Sequence, residues 1–480
     1  MATQSRVSEK VARPFEAELC HRHDTPTRGP AASILSLLLA LALVFLSGCS
    51  RADEQAEPKP NFVLIVADDL GYGDLGVTGA PDISTPNIDL LAARGLRFTN
   101  AYANAPVCSP TRVALLTGQY QQRTGYDRVL YVNERELGIG SRLVLLPELL
   151  REVGYTTGIF GKWHLGYPKD SFPTRHGFDQ FVGFVAGNID YFEHTDRLGN
   201  HDLWRGETEI YDDRYFTDLV VEESLAFLNS HHEHPFFLYV PFSAPHDPFQ
   251  GPEHRDSAGH QELTRNVNRT REVYKSMVEA LDAGIGRLLD HLEELHVAER
   301  TVVLFMSDNG GLPIVARNAP FSGFKATLWE GGIHVPLIVR WPAKVPSGTT
   351  SDALVAAMDV FPTLVELAGA SLPAGHQIDG VSLASILTGD ASEPLRDALY
   401  FHYQNPRGPE QRAVIQDGWK YLLDQTGQEH LFNLYADPAE RHDRAQEQPE
   451  RLTAMKNQYE QWLDEVFAGV TRLPKWTPPP

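Results

Sequence analysis

Residues 61–69 read Asn61-Phe62-Val63-Leu64-Ile65-Val66-Ala67-Asp68-Asp69. A run of apolar side chains stops abruptly at two acids. An unbroken apolar run, rather than an alternating one, suits a strand buried on both faces. Similar runs recur at Thr156–Phe160, Phe236–Pro241, Thr301–Ser307 and Val335–Trp341. Helical patterns lie between them, at Pro86–Arg94, Val113–Thr117 and Arg271–Leu295. In the last of these, Val273, Met277, Leu281, Ile285, Leu288, Leu289, Leu292 and Leu295 recur mostly at spacings of three and four. Strands alternating with helices predict an α/β fold, a large, mainly parallel sheet sandwiched by helices. Ligands of such sheets bind beyond the carboxyl ends of the strands. Asp68 and Asp69 therefore fall where chemistry is expected.

Towards the carboxyl terminus the pattern changes. Ala398–Tyr403, Ala413–Gln416, Trp419–Leu423 and Glu429–Leu434 are short strand-like pieces, and Pro449–Phe467 reads as an amphipathic helix. These predict a smaller C-terminal α+β subdomain over 393–480, an antiparallel sheet plus helix, beside a catalytic domain over 61–392. Towards the amino terminus, Ile34–Leu46 is apolar for 13 residues, short of the about 20 that span a membrane. It fits the apolar region of a secretory signal. Leu46-Ser47-Gly48-Cys49 follows and resembles a bacterial lipobox, in which the cysteine takes a lipid after cleavage. The expected organisation is a lipoprotein signal peptide at 1–48 and a charged, proline-containing tether at 49–60. The protein would be exported and lipid-anchored at the bacterial cell envelope, in the periplasm or on the outer membrane. The leader also carries Glu9, Glu16, Glu18 and Asp24, so translation starting after Met1 is an open alternative.

Composition narrows the function. The 480 residues are 42% hydrophobic and 22% charged, which fits a folded chain rather than a disordered one. A net charge of −21 argues against a nucleic-acid partner, which needs a basic patch. It leaves an anionic small substrate open, because local cations and a metal override a distant field. Three cysteines, Cys20, Cys49 and Cys108, are too few and too dispersed for a disulfide scaffold or a local zinc site.

Asp308-Asn309 directly follows the run Thr301–Ser307, as Asp68-Asp69 follows Asn61–Ala67. If the two strands are neighbours, three carboxylates and an amide oxygen converge, a hard-ligand set suited to calcium or magnesium. Alternatively each acid merely caps a turn or helix. Cys108-Ser109-Pro110-Thr111-Arg112 precedes Val113–Gly118. Pro110 suits a first helical turn, which places Cys108 at a helix amino terminus where the dipole favours an anion. Arg112 lies one turn on. Unmodified, such a cysteine would be an activated thiolate.

Residues 108–118 match C-x-P-x-R with a following T-G, and here the chain resembles the type I, formylglycine-dependent sulfatases of the alkaline phosphatase superfamily. Thr111 stands where serine is commonest in the family. Asp68-Asp69-Leu70-Gly71-Tyr72-Gly73-Asp74, Gly161-Lys162-Trp163-His164-Leu165-Gly166, Pro245-His246, Asp308-Asn309-Gly310, Lys325 with Leu328–Pro336, Met358–Leu364 and Asp379–Leu383 follow the family's order. The resemblance runs from about Asn61 to Leu463. It implies that a maturation enzyme oxidises Cys108 to formylglycine (3-oxoalanine). It also implies that one calcium ion is held by Asp68, Asp69, Asp308, Asn309 and residue 108. A hydrated aldehyde would attack sulfur, and the sulfated diol would then collapse to release sulfate. Arg112 would fix the hydrate. Lys162 and Lys325 would meet sulfate oxygens. His246 would protonate the leaving oxygen and His164 would bond the hydrate or sulfate, roles that are interchangeable on sequence alone.

The implied activity is hydrolysis of sulfate monoesters, on sulfated polysaccharide or oligosaccharide for an exported enzyme. A phosphodiester or phosphonate monoester hydrolase of the same superfamily is the alternative, and an inactive carbohydrate-binding lipoprotein is a third reading. Trp204, Tyr211 and Tyr215 either line a sugar subsite or pack a loop. Asn188, Asp190, Tyr191 and His194, in the same predicted loop, are candidates for specificity. Asn268-Arg269-Thr270 matches a glycosylation acceptor but has no use in a bacterial lipoprotein.

Overall fold

The computed structural model describes residues 58–140, 142–255, 269–389, 395–406 and 408–476. The leader, Cys20, Cys49, most of the tether and Asn268 lie outside the described residues. Asn61–Ala67 is the central strand, buried throughout. It pairs in parallel with Phe236–Pro241 on one side and Thr301–Ser307 on the other. Its unbroken apolar pattern has a direct cause. Val63, Ile65 and Ala67 enter one core, and Phe62, Leu64 and Val66 enter the other. Successive side chains leave opposite faces of a strand, so a strand covered on both faces needs apolar residues at every position.

Helices Pro86–Ala93, Phe216–His231 and Arg271–Glu294 cover the first face. Helices Cys108–Thr117, Leu146–Glu152 and Val360–Ala368 cover the second. Arg271–Glu294 starts where the Thr270 side chain accepts from the Val273 amide, the usual amino-terminal cap. Its residues Val273, Met277, Leu281, Ile285, Leu288 and Leu292 are buried, each contributing about 1.5–3 kcal/mol of apolar burial.

Among the described residues the main sheet has ten strands. Five neighbours are mutually parallel, in the order Thr301–Ser307, Asn61–Ala67, Phe236–Pro241, Thr156–Lys162, Gln180–Phe184. The expected run Val335–Trp341 narrows to the strand Leu337–Arg340, which is antiparallel to Thr301–Ser307. The reason is connectivity. A parallel neighbour needs a crossover that returns the chain to the far end of the sheet. Residues 308–336 contribute no such crossover, so the next strand runs back down.

A second, four-stranded antiparallel sheet is built from Ala398–Tyr403, Gln411–Gln416, Trp419–Leu423 and Glu429–Asn433. Helix Pro449–Val466 packs on it through Met455, Tyr459, Trp462 and Val466. Trp462 stacks on Tyr400 with ring centroids 5.1 Å apart and meets Tyr120 edge-on at 5.0 Å. This sheet also holds the loop that carries Lys325. Gln411 accepts from the Leu328 amide and donates to the Ala326 carbonyl, and Glu440 accepts from the Glu330 amide. Lys420, fully buried, sits 2.8 Å from both Glu330 and Glu440.

Candidate active site

The parallel strands end on one rim, and four of them deliver the candidate residues side by side. Asp308 and Asn309 follow Thr301–Ser307, Asp68 and Asp69 follow Asn61–Ala67, His246 follows Phe236–Pro241, and Lys162 closes Thr156–Lys162. The adjacency on which the convergence of the acids depended is therefore present. The Asp69 amide donates to Asp308 Oδ1 at 3.3 Å, and the Leu70 amide to Ser307 Oγ at 3.2 Å. These bonds turn the chain so sharply that Asp69 has φ 64°, a conformation non-glycine residues hold only when their surroundings compel it. Gly161 has φ 131°, and a Cβ there would lie 2.1 Å from the Pro241 carbonyl oxygen. Only glycine lets these two strand ends approach so closely beside Lys162.

Cys108 is the first residue of helix Cys108–Thr117, and Val107 before it offers no capping side chain. The first-turn amides thus lack a side-chain acceptor, which suits an anion. Thr111 Oγ1 bonds both the amide and the carbonyl of Ala105 at 3.1 Å. The hydroxyl at this position closes the turn before the cysteine, which is why threonine can stand there for serine. Cys108 is buried, and its Sγ donates to Asp68 Oδ1 at 3.4 Å. Burial and then the Asp68 charge push the thiol far above its ordinary range, against Lys162 and Lys325. The expected activated thiolate is corrected here, because burial and a neighbouring carboxylate outweigh the helix dipole. Unmodified Cys108 is a neutral thiol.

Cations answer the acids one by one. Lys162 pairs with Asp68 and Lys325 with Asp69, at 2.6 Å for the latter. Arg112 gives Nε and Nη2 to Asp308 at 3.0 and 2.7 Å, and Nη1 to the Lys162 carbonyl. Its guanidinium is thus spent on orienting Asp308, with Asp68 3.4 Å away. Burial opposes the charge on Lys325, but Asp69 outweighs it and the ammonium is held well above its usual value. Burial raises Asp69 and Asp308 despite Lys325 and Arg112.

His246 Nδ1 bonds the Asp247 carbonyl at 2.6 Å, and its Nε2 lies 3.6 Å from Asp69. Burial, then Lys325 and Lys162, hold it far below the ordinary histidine range. In the free protein this is a neutral ring whose Nδ1–H is committed and whose Nε2 faces the acids. His164, at φ 58°, bonds the Leu130 carbonyl through Nε2 at 2.9 Å and leaves Nδ1 buried without a partner. Burial and then Lys162 keep it neutral.

Possible ligand atoms of Asp68, Asp69, Cys108 and His246 all lie within 4.8 Å of one another. Asn309 donates from Nδ2 to Asp69 at 2.7 Å, while its Oδ1 is buried and unpartnered. Three buried carboxylates and an idle amide oxygen fit a hard divalent cation. His246 stands nearer this group than its sequence context implied.

The other candidates resolve differently. Asp190 accepts from the amides of Phe192 and Glu193 and from Gln250, and Tyr191 donates to the His246 carbonyl at 3.1 Å. They hold the loop that backs His246. Tyr215 is buried and donates to the Gln250 carbonyl. Two residues that no sequence motif marks gather beside His246: Asp247, 3.2 Å from Nδ1, and Arg197, which pairs with Asp247. The only signal for Asp247 was its place directly after His246.

An open α/β sheet whose strand ends carry a buried cluster of acids and cations places this site where ligands of such sheets bind. Residues 60–370 match the family model described as Sulfatase, and residues 323–467 match that described as N-sulphoglucosamine sulphohydrolase, C-terminal. N-acetylgalactosamine-6-sulfatase of Homo sapiens is 36% identical over 379 residues, covering 73% of this chain and 69% of that protein. Its counterpart from Canis lupus familiaris is 34% identical over 409 residues, covering 79% and 74%. The solved structure of Ps i-CgsB superposes with a TM-score of 0.77 at 33% identity, covering 84% of this chain and 93% of that one. The chain belongs to the sulfatase family and is a sulfuric ester hydrolase.

Proposed function

We propose that this enzyme removes sulfate from sulfated carbohydrate, using a nucleophile made from Cys108 and a calcium ion held by Asp68, Asp69, Asp308 and Asn309. The observation that carries the reading is the position of Cys108. It lies buried at a helix amino terminus within reach of Asp68, Asp69 and His246, with its thiol donating to Asp68. Conversion to formylglycine replaces that inert thiol with an aldehyde whose hydrate can attack sulfur and later release sulfate without a second attack. Bound calcium would supply Lewis acidity and positive charge to the sulfate oxygens.

The protein's own groups do the rest. Arg112 holds Asp308 in place through two hydrogen bonds. Lys162 and Lys325, which neutralise Asp68 and Asp69 in the free protein, are placed to turn to sulfate oxygens once a cation takes over those acids. His164 Nδ1 is the idle acceptor for a hydroxyl proton. An anionic ester beside His246 Nε2 supplies negative charge that favours protonation of the ring, which can then protonate the leaving oxygen. The carbohydrate class rests on relatives named N-acetylgalactosamine-6-sulfatase and on a 34%-identical neighbour solved with k-i-k-neocarrahexaose.

Sulfate release from sulfated mono- and oligosaccharides, run beside matched phosphodiesters, tests the reading. Sulfate turnover that chelation abolishes and calcium restores is expected; a preference for phosphodiester by orders of magnitude would overturn it. We also propose maturation by a formylglycine-generating enzyme and anchoring through lipid on Cys49. Lipid labelling lost in Cys49→Ala is the expected result for the anchor.

A further inference from the structure

Beside the proposed hydrolytic centre lies a cleft of about 450 Å³ whose walls include Arg135, Tyr167, Lys169, His201 and Trp204, with the carboxylates of Asp202 and Glu209 also in the lining. It borders that centre through three links. Arg135 belongs to the loop whose Leu130 carbonyl meets His164. Val185, also in the wall, is two residues before Gly187, where a Cβ would lie 2.7 Å from His164 Nε2. Asp196 pairs with Arg135, and the next residue, Arg197, pairs with Asp247 beside His246.

The walls combine charge with aromatic surface. The Arg135 guanidinium, 47% exposed, lies 5.6 Å from the Tyr167 ring centroid, and the Lys169 ammonium lies 5.8 Å from that of Trp204. The Trp204 indole is fixed by its N–H to Asp202 at 2.7 Å and by Phe172 edge-on at 5.1 Å. The Tyr167 hydroxyl is buried with no hydrogen-bond partner among the described residues. A buried hydroxyl left unpaired is costly and calls for an explanation. Asp202 is spent on the Val185 and Ala186 amides and the Trp204 indole, which leaves Glu209 as the one other acid in the lining against Arg135 and Lys169. Two cations, an aromatic wall and an idle hydroxyl match a hydroxyl-rich ring bearing an anion.

We propose that this cleft is a second subsite, which takes an anionic sugar, sulfated or uronic, next to the sugar that loses its sulfate. The proposal rests on the sulfate-ester reading above, but its test separates the two. Binding of chondroitin 6-sulfate and ι-carrageenan hexasaccharides to the full-length Cys108→Ala protein is measured by calorimetry, with N-acetylgalactosamine 6-sulfate as the one-sugar control. Turnover of 4-nitrophenyl sulfate by the matured enzyme is followed separately, and its absence bears on the sulfatase reading alone. Adding Arg135→Ala with Lys169→Ala is expected to weaken at least one hexasaccharide by about tenfold or more while sparing the control and the aryl sulfate. Tyr167→Phe is expected to weaken the same hexasaccharide without lowering the melting temperature, since it deletes a hydroxyl that bonds nothing in the free protein. Unchanged hexasaccharide affinity in these variants, an equal loss for the one-sugar control, or no hexasaccharide binding by the Cys108→Ala parent would overturn the proposal.

Discussion

Lys420→Met removes the cation that joins the C-terminal sheet to the loop carrying Lys325. Lys420 is fully buried, 2.8 Å from Glu330 and 2.8 Å from Glu440. Glu330 also accepts from Tyr102 and pairs with His334, each at 2.9 Å, so it cannot swing away to water. Without the ammonium, two carboxylates face each other in the interior. Breaking a buried pair costs about 3–5 kcal/mol, whereas an exposed pair would cost about 0–1 kcal/mol. Urea unfolding of the matured enzyme measures the difference. The loss has a pH signature. Burial already raises Glu440 to about 7 against Lys420, whereas against burial Lys420 holds Glu330 down at about 2. Stripped of the ammonium, Glu440 rises further and Glu330 rises with it, and a raised group stabilises below its unfolded pKa and loses that contribution as pH rises through the folded one. The variant should therefore be most impaired at neutral to alkaline pH and recover part of its stability in mild acid. Adding Glu440→Gln, which deletes one of the stranded charges, should also restore part of it. A loss below about 1 kcal/mol at neutral pH, or no pH dependence in the difference, would refute the reasoning.

Three further outcomes follow from the geometry. Burial pushes Asp202 up to about 7, against bonds from Ala186 and Trp204, so its contribution to stability falls as pH rises from about 4 to 7, by at most about 1.4 kcal/mol per unit; Asp202→Asn should flatten that slope in pH-dependent melting curves. Gly161→Ala, which sets a Cβ 2.1 Å from the Pro241 carbonyl, should destabilise by more than about 1 kcal/mol and lower kcat through displaced Lys162, measured by unfolding and kinetics together. His246→Ala should cost about 10²–10⁴-fold on sugar sulfates and far less on 4-nitrophenyl sulfate, whose leaving group needs no proton; equal losses would assign the proton to another residue.

Much of the fold was legible because burial on both faces writes itself into a strand. Asn61–Ala67 and Thr301–Ser307 needed apolar residues at every position, and the acids closing them marked the rim. The direction of Leu337–Arg340 was not legible, since it depends on the path of residues 308–336 rather than on local pattern. Helix Phe216–His231 carried a signal in Phe216, Leu219, Val220, Phe227 and Leu228, with no motif nearby to draw attention to it. At the site, residue types and order identified the acids and cations, but not their pairing. Arg112 bonds Asp308, and Lys162 and Lys325 each take one acid of the Asp68-Asp69 pair. The protonation of Cys108 is not legible in the sequence for the same reason. Its helix position is local, whereas its burial and its contact with Asp68 are set by residues 40 positions away.

The central claim is that Cys108 acts only after conversion to an aldehyde. The most direct measurement is the mass of the peptide containing residue 108, taken from a preparation whose sulfate release has been quantified. The expected result is a peptide lighter by the exchange of a thiol-bearing methylene for an aldehyde, in proportion to activity. Full activity with only unmodified cysteine at position 108 would contradict the account.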